Sequence, residues 1–89
     1  MEIRLLKQAQ IDLEFWKASG NVKIQKRISK LLKDIQSHPF SGIGKPEPLT
    51  GDLRGKWSRR INDEHRIIYS VESGMICVYV LSMRYHYNK

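Results

Sequence analysis

The chain has 89 residues, 40% of them hydrophobic, and its 16 Lys and Arg against nine Asp and Glu leave a formal charge of +7. That length allows one domain, residues 1–89, with room for one sheet and one helical layer. The composition excludes a disordered chain, and no apolar run approaches the roughly 20 residues a bilayer helix needs.

The opening Met1-Glu2-Ile3-Arg4 is followed by no apolar h-region, so no signal peptide is expected and the expected compartment is the cytoplasm. Residues 3–6 are a short apolar stretch and are expected to form a strand. Residues 8–18 read as a helix with Ala9, Leu13 and Trp16 on one face. Gly20 ends it, as glycine does past a helix C-terminus. Asn21 is then the N-cap of a longer helix. Its apolar positions Ile24, Ile28, Leu31, Leu32 and Ile35 recur at helical spacing, and Lys23, Lys26, Arg27, Lys30 and Lys33 take the other side. His38-Pro39 stops it, with His38 suited to the helix C-terminus.

Residues 41–53 carry glycines and prolines and are expected to form a loop with one short strand near its end. The period then changes from 3.6 to 2. Residues 56–62 place Trp57, Arg59 and Ile61 on one side and Ser58 and Arg60 on the other. A turn at Asn62-Asp63-Glu64 leads to a strand over 65–71. A second turn at Glu72-Ser73-Gly74 leads to a central, apolar strand over 75–82, and residues 83–87 continue it or follow as an end piece. The expected fold is α+β: two N-terminal helices packed on a small, mostly antiparallel sheet, the opposite sheet face being exposed. Cys77 falls in the apolar strand and reads as a small core residue.

The charge favours a polyanionic partner, because each phosphate neutralised releases counterions. An anionic membrane surface or an acidic protein would meet the same field. Gly42-Ile43-Gly44-Lys45 is too short for a phosphate-binding glycine motif. The three histidines are scattered, so neither metal chemistry nor any cofactor is expected. What remains is the inventory of a metal-free ribonuclease: a base for a 2′-hydroxyl, an acid for the leaving oxygen, fixed cations around the phosphate, and aromatic surfaces for the bases. Glu47 lies between two prolines that stiffen its backbone. Arg59, Arg60 and Arg66 lie on two strands joined by a tight turn, where guanidiniums sharing a face make a phosphate clamp. Strand alternation sends Arg59 and Arg60 to opposite faces without saying which. His86, within Arg84-Tyr85-His86-Tyr87, can act as an acid near neutral pH. His65 is expected to pack or bond beside its turn, and Trp16 and Trp57 to belong to the core. Residue types alone stop at an RNA-binding domain with the means of a nuclease.

Gly44-Lys45-Pro46-Glu47-Pro48-Leu49 is similar to the loop signature of YoeB-type toxins of the RelE/ParE superfamily. So are Leu53, Gly55, Trp57-Ser58-Arg59-Arg60-Ile61, Glu64-His65-Arg66-Ile67-Ile68-Tyr69 and the terminal Arg84-Tyr85-His86-Tyr87. The resemblance implies a RelE-like fold akin to the microbial ribonucleases. It also implies a toxin of a type II toxin–antitoxin module that cuts mRNA in the A site of the 70S ribosome. By match, Glu47 is the general base, His86 the general acid, Arg66 the phosphate stabiliser assisted by Arg60, and Tyr87 the substrate-orienting group. Arg59, Lys45, Lys56 and Tyr85 join them as RNA- or phosphate-binding candidates. The implied first product carries a 2′,3′-cyclic phosphate. The implied partners are a YefM-like antitoxin with an acidic tail and a second copy of the chain. Thr50 departs from the family, where lysine is common; Lys45 and Lys56 are the candidate replacements. Two other readings are a non-catalytic toxin of the same fold, as ParE-type gyrase poisons are, and a plain RNA-binding module.

Overall fold

The computed structural model describes residues 1–81. Its elements, in chain order, are β1 (Glu2–Leu5), α1 (Lys7–Ser19), α2 (Val22–Ser37), β2 (Glu47–Pro48), β3 (Trp57–Arg60), β4 (Arg66–Glu72) and β5 (Met75–Val80), with one 3₁₀ turn at Gly51–Leu53. The sheet order is β1-β5-β4-β3-β2. β1 runs parallel to β5, and every other pair is antiparallel. The α+β architecture follows the pattern of the sequence, and β5 is an interior strand between β1 and β4, the middle place of the sheet falling to β4. The short strand of the 41–53 loop falls at its middle, with the 3₁₀ turn at its end.

α2 forms as its spacing dictates. Asn21 Oδ1 accepts the Ile24 backbone N–H, at 3.1 Å, and Ile24, Ile28, Leu31 and Ile35 are buried. They pack with Ala9, Trp16, Ile61, Ile67, Tyr69, Ile76, Val78 and Leu81 into one core between helices and sheet. α1 is less regular than its apolar pattern. Leu13 is half-buried, while Asp12 lies inside. Asp12 is drawn in by hydrogen bonding. Its Oδ2 accepts the Leu81 backbone N–H at 3.1 Å, at the end of β5, and its Oδ1 accepts from Gln8 Nε2 at 2.9 Å. Trp16 stands edge-on to the His65 ring, centroids 5.0 Å apart, so α1 holds the end of the β3–β4 hairpin.

The largest side chain sealed in this interior is charged. Arg59 is 0% exposed. Its Nε donates to Tyr69 Oη at 3.1 Å, Nη1 to Asp34 Oδ2 and to the Ile43 carbonyl, and Nη2 to the carbonyls of His38 and Ser41. Every donor of the guanidinium is used, the condition under which burying such a group is tolerable. Tyr69 Oη donates onward to the Pro39 carbonyl at 2.6 Å. Asp34 Oδ2 also accepts the Ile43 N–H. This settles the alternation at residues 59 and 60, and it corrects one expectation. Arg59 is not a phosphate ligand, because its donors are committed under the helix layer. Gly42 and Gly44 allow the close approach. A Cβ on Gly42 would lie 2.0 Å from Asp34 Oδ2, and one on Gly44 2.8 Å from Leu31 Cδ2; both have positive φ.

The face opposite the helices is also less exposed than its pattern suggests. Ser58, Ile68 and Ser70 lie on it, and all are buried. Tyr79 lies over Ser70, its hydroxyl 3.4 Å from Ser70 Oγ. Cys77 sits on the same face, buried and unpaired by any disulfide.

Asp34 is held below the usual carboxylate range, foremost by the bond from Arg59, against the opposing effect of burial. A depressed carboxyl contributes stability that is present above its unfolded pKa and lost as pH falls through its folded value. Replacing either partner of the pair is expected to cost about 3–5 kcal/mol at neutral pH. In urea melts across pH, the gap between wild type and Asp34→Asn is therefore expected to be full above about pH 5 and to close in acid. A gap that does not change with pH would contradict the pairing.

Candidate active site

Strand register decides which candidates share a face. Glu47 stands opposite Ser58, Ser58 opposite Ile68, and Arg60 opposite Arg66. Paired residues point the same way, so Glu47, Arg60 and Arg66 all project from the outer face, away from the helices. Glu47 lies diagonal to Arg60 across the β2–β3 pair, a residue separation of about 7–8 Å and somewhat less between Cβ atoms. The ladder continues one step beyond β2, where the Leu49 N–H donates to the Lys56 carbonyl at 2.9 Å. Lys56 is therefore diagonal to Glu47 on the other side, and the carboxylate stands between two cations of one strand.

Local sequence explains each placement. Glu47 is exposed, and its flanking prolines remove backbone donors that an edge strand has no use for. The loop leading to it is registered against β3 by the Arg60 N–H to the Gly44 carbonyl, at 2.7 Å. Lys45, exposed and with φ 52, sits at the bend between them. At the hairpin end, Asn62 Oδ1 accepts the backbone N–H groups of Glu64 and His65, both at 2.8 Å. Arg66 Nη1 donates back to the carbonyls of Asn62 at 3.1 Å and His65 at 3.3 Å, which fixes the guanidinium over the turn.

Arg60 and Arg66 are both half-buried and directly opposed. Like charges placed so repel, and among the described residues neither has a carboxylate partner. An arrangement that costs folding energy and leaves guanidinium donors unused is suited to an anion held between the two strands. Arg60 also borders a groove of about 660 Å³ under the first half of α2, lined by Lys23, Lys26, Arg27 and Lys30. Arg60 thus stands between the outer face and the basic residues of α2.

The structure brings Glu47, Arg60, Arg66 and Lys56 to one face and withdraws Arg59 from it. Tyr85, His86 and Tyr87 lie outside the described residues, as does the expected continuation over 83–87. Reasoning from the sequence missed the hydrogen-bonded group Ser70, Glu72 and Tyr79 on the same face. Ser70 Oγ and Tyr79 Oη donate to Glu72 Oε2 at 2.6 and 2.7 Å. These two hydroxyls, Ser70 foremost, hold the Glu72 carboxyl below its usual range. Alternation in β5 would have put Tyr79 beside Cys77 on this face, but the apolar run concealed it.

Residues 6–87 match the model of the YoeB-like toxin of bacterial type II toxin–antitoxin systems. Toxin YoeB of Mycobacterium bovis is 54% identical over 76 residues, covering 85% of this chain and 86% of its own length. Among solved structures, a YoeB/ParE toxin from Agrobacterium tumefaciens superposes with a TM-score of 0.88 at 38% identity, over 96% of this chain and 100% of that one. The toxin in a heterotetrameric YoeB–YefM complex from Staphylococcus aureus gives 0.84 at 39% identity over 98% of each chain. The same toxin has been solved as a dimer.

If the opposed arginines form an anion seat, inorganic phosphate is expected to raise the melting temperature of the wild type and to have little effect on Arg60→Gln. Without phosphate at low salt, Arg60→Gln is expected to match or slightly exceed the wild type, by up to about 0.5 kcal/mol. Scanning calorimetry with and without phosphate checks both; equal phosphate stabilisation of the two proteins would refute the seat.

Proposed function

The chain belongs to the family of YoeB-like toxins of bacterial type II toxin–antitoxin systems, and from that membership we propose that it is a ribosome-dependent endoribonuclease that cuts mRNA in the A site. The observation that carries the reading is the placement of Glu47 on one sheet face with the opposed pair Arg60 and Arg66. A carboxylate beside an anion seat is what transesterification by a 2′-hydroxyl needs.

In this mechanism Glu47 takes the 2′-hydroxyl proton as the oxygen attacks the adjacent phosphorus. Arg66, assisted by Arg60, neutralises the charge that grows on the phosphate oxygens. Arg66 is pre-set for this by its bonds to the turn carbonyls, so little reorganisation accompanies the reaction. His86 protonates the departing 5′-oxygen, and Tyr87 orients the substrate. The products are a 2′,3′-cyclic phosphate and a 5′-hydroxyl. Lys45, Lys56 and Tyr85 contact the RNA on either side. No metal or cofactor enters the scheme.

The partners follow the same premise. A YefM-like antitoxin is the proposed cognate inhibitor, its acidic segment covering the cations of the outer face and of α2, and the toxin is proposed to form a homodimer. Solved relatives from Staphylococcus aureus include a YoeB–YefM complex and a YoeB dimer. The proposed compartment is the cytoplasm, where ribosomes are; among the described residues no helix is long and apolar enough to cross a membrane.

Adding the purified protein to a cell-free translation reaction is expected to give discrete mRNA cuts at the A site, and none on the same mRNA without ribosomes. Glu47→Gln and His86→Gln are each expected to slow cleavage by about 10²–10⁴. Full activity of both variants would refute the assigned roles, and absence of cuts by the wild type would refute the activity.

A further inference from the structure

Lys56 is held in an unusual way for a surface cation. Its Nζ lies 4.5 Å from the centroid of the Tyr79 ring; among the described residues it forms no ion pair, and the nearby Glu72 carboxylate, already bonded by Ser70 and Tyr79, acts on it only through space. A carboxylate partner would fix the ammonium and also cancel its charge. An aromatic face attracts it through the ring quadrupole and leaves the charge available.

Tyr79 is itself fixed. The β4–β5 register shifts between Ile68 and Tyr69, so that Ile68 faces Val80, Tyr69 faces Val78, and Tyr79 has no residue opposite. Alternation from Cys77 carries the ring to the outer face, and the bulge turns the next residue, Val80, to that face as well. There the Tyr79 hydroxyl donates to Glu72 Oε2 at 2.7 Å. The ring is pinned at its far end, and Lys56 rests on it.

We propose that Tyr79 is a positioning residue that carries the Lys56 ammonium on its ring, so that Lys56 binds a second phosphate of an RNA strand lying across the outer face. Lys56 and Arg60 are four residues apart on one strand, about 13 Å, with Glu47 diagonal to both. RNA held at both ends of this row passes its reactive 2′-hydroxyl over Glu47. The proposal rests on the endoribonuclease reading for its substrate class, but it is tested by binding alone.

The probe is a short RNA oligonucleotide 2′-O-methylated throughout, which cannot be cleaved through its 2′-oxygens. Its affinity for the full chain is measured by fluorescence anisotropy over a range of salt concentrations. Lys56→Met and Tyr79→Leu are each expected to weaken binding about tenfold, as loss of one charged hydrogen bond does. Each should also lower the slope of log K against log salt by about 0.7, one phosphate contact to a single strand. Tyr79→Phe keeps the ring and is expected to keep both affinity and slope. The double variant Lys56→Met/Tyr79→Leu is expected to be no weaker than either single one. A purely structural role for Tyr79 would leave the salt slope unchanged.

An unchanged slope in Lys56→Met, which removes no buried packing, overturns the proposal whether or not Tyr79→Leu folds. So does a wild type that does not bind the oligonucleotide. Binding with the expected slopes but no ribosome-dependent cleavage sinks the nuclease reading and leaves this one standing.

Discussion

A guanidinium buried with no access to water must have every donor met, and in this chain that requirement organises the fold. Arg59 reaches from β3 under α2 and takes the Asp34 carboxylate, the Tyr69 hydroxyl and the carbonyls of His38, Ser41 and Ile43. Three of these acceptors are backbone oxygens of the segment that leaves α2. The loop therefore cannot move without exposing or orphaning a charge, and orphaning costs more than the pair gains. The same loop ends in Gly44, bonded to the Arg60 N–H, and then in β2. The place of Glu47 on the outer face is thus set from the inner face, through a residue that never meets the substrate.

The two faces of the sheet handle positive charge in opposite ways. Inside, one arginine is fully paired. Outside, Arg60 and Arg66 are opposed without a carboxylate between them, and Lys56 is held by a ring. On a chain of +7, each unpaired cation costs folding energy through mutual repulsion. The cost is concentrated around the one exposed carboxylate of the β2–β3 pair. That is the electrostatic pattern of a site that is incomplete without a polyanion, and the same field is one an acidic inhibitor would neutralise.

Much of this fold is legible in the order of the amino acids. The 3.6-residue period of α2 and its Asn21 cap are local signals, and the helix begins and ends within a residue of where they place it. The hairpins of the C-terminal half follow from turn residues between alternating strands. What local signals could not supply was the sense of the alternation. Arg59 and Arg60 had to point to opposite faces, but which went inside depended on Asp34, 25 positions away. Asp12 was hidden for a similar reason, since its partner is the Leu81 N–H at the far end of the chain. Tyr79 was hidden differently, because the alternation that sends it outward beside Cys77 leaves no mark in an apolar run. For the site, composition offered the residue types, register brought Glu47, Arg60 and Arg66 together, and the roles came by family resemblance.

The central claim is that the outer face directs a 2′-hydroxyl against its own phosphate. Its most direct test is the chemistry of the cut ends. Message cleaved on ribosomes by the wild-type protein should carry a 2′,3′-cyclic phosphate on the upstream fragment and a 5′-hydroxyl on the downstream one. A 3′-hydroxyl with a 5′-phosphate would mean that water or another nucleophile attacks from the opposite side, and that Glu47 and the arginines do not act as described.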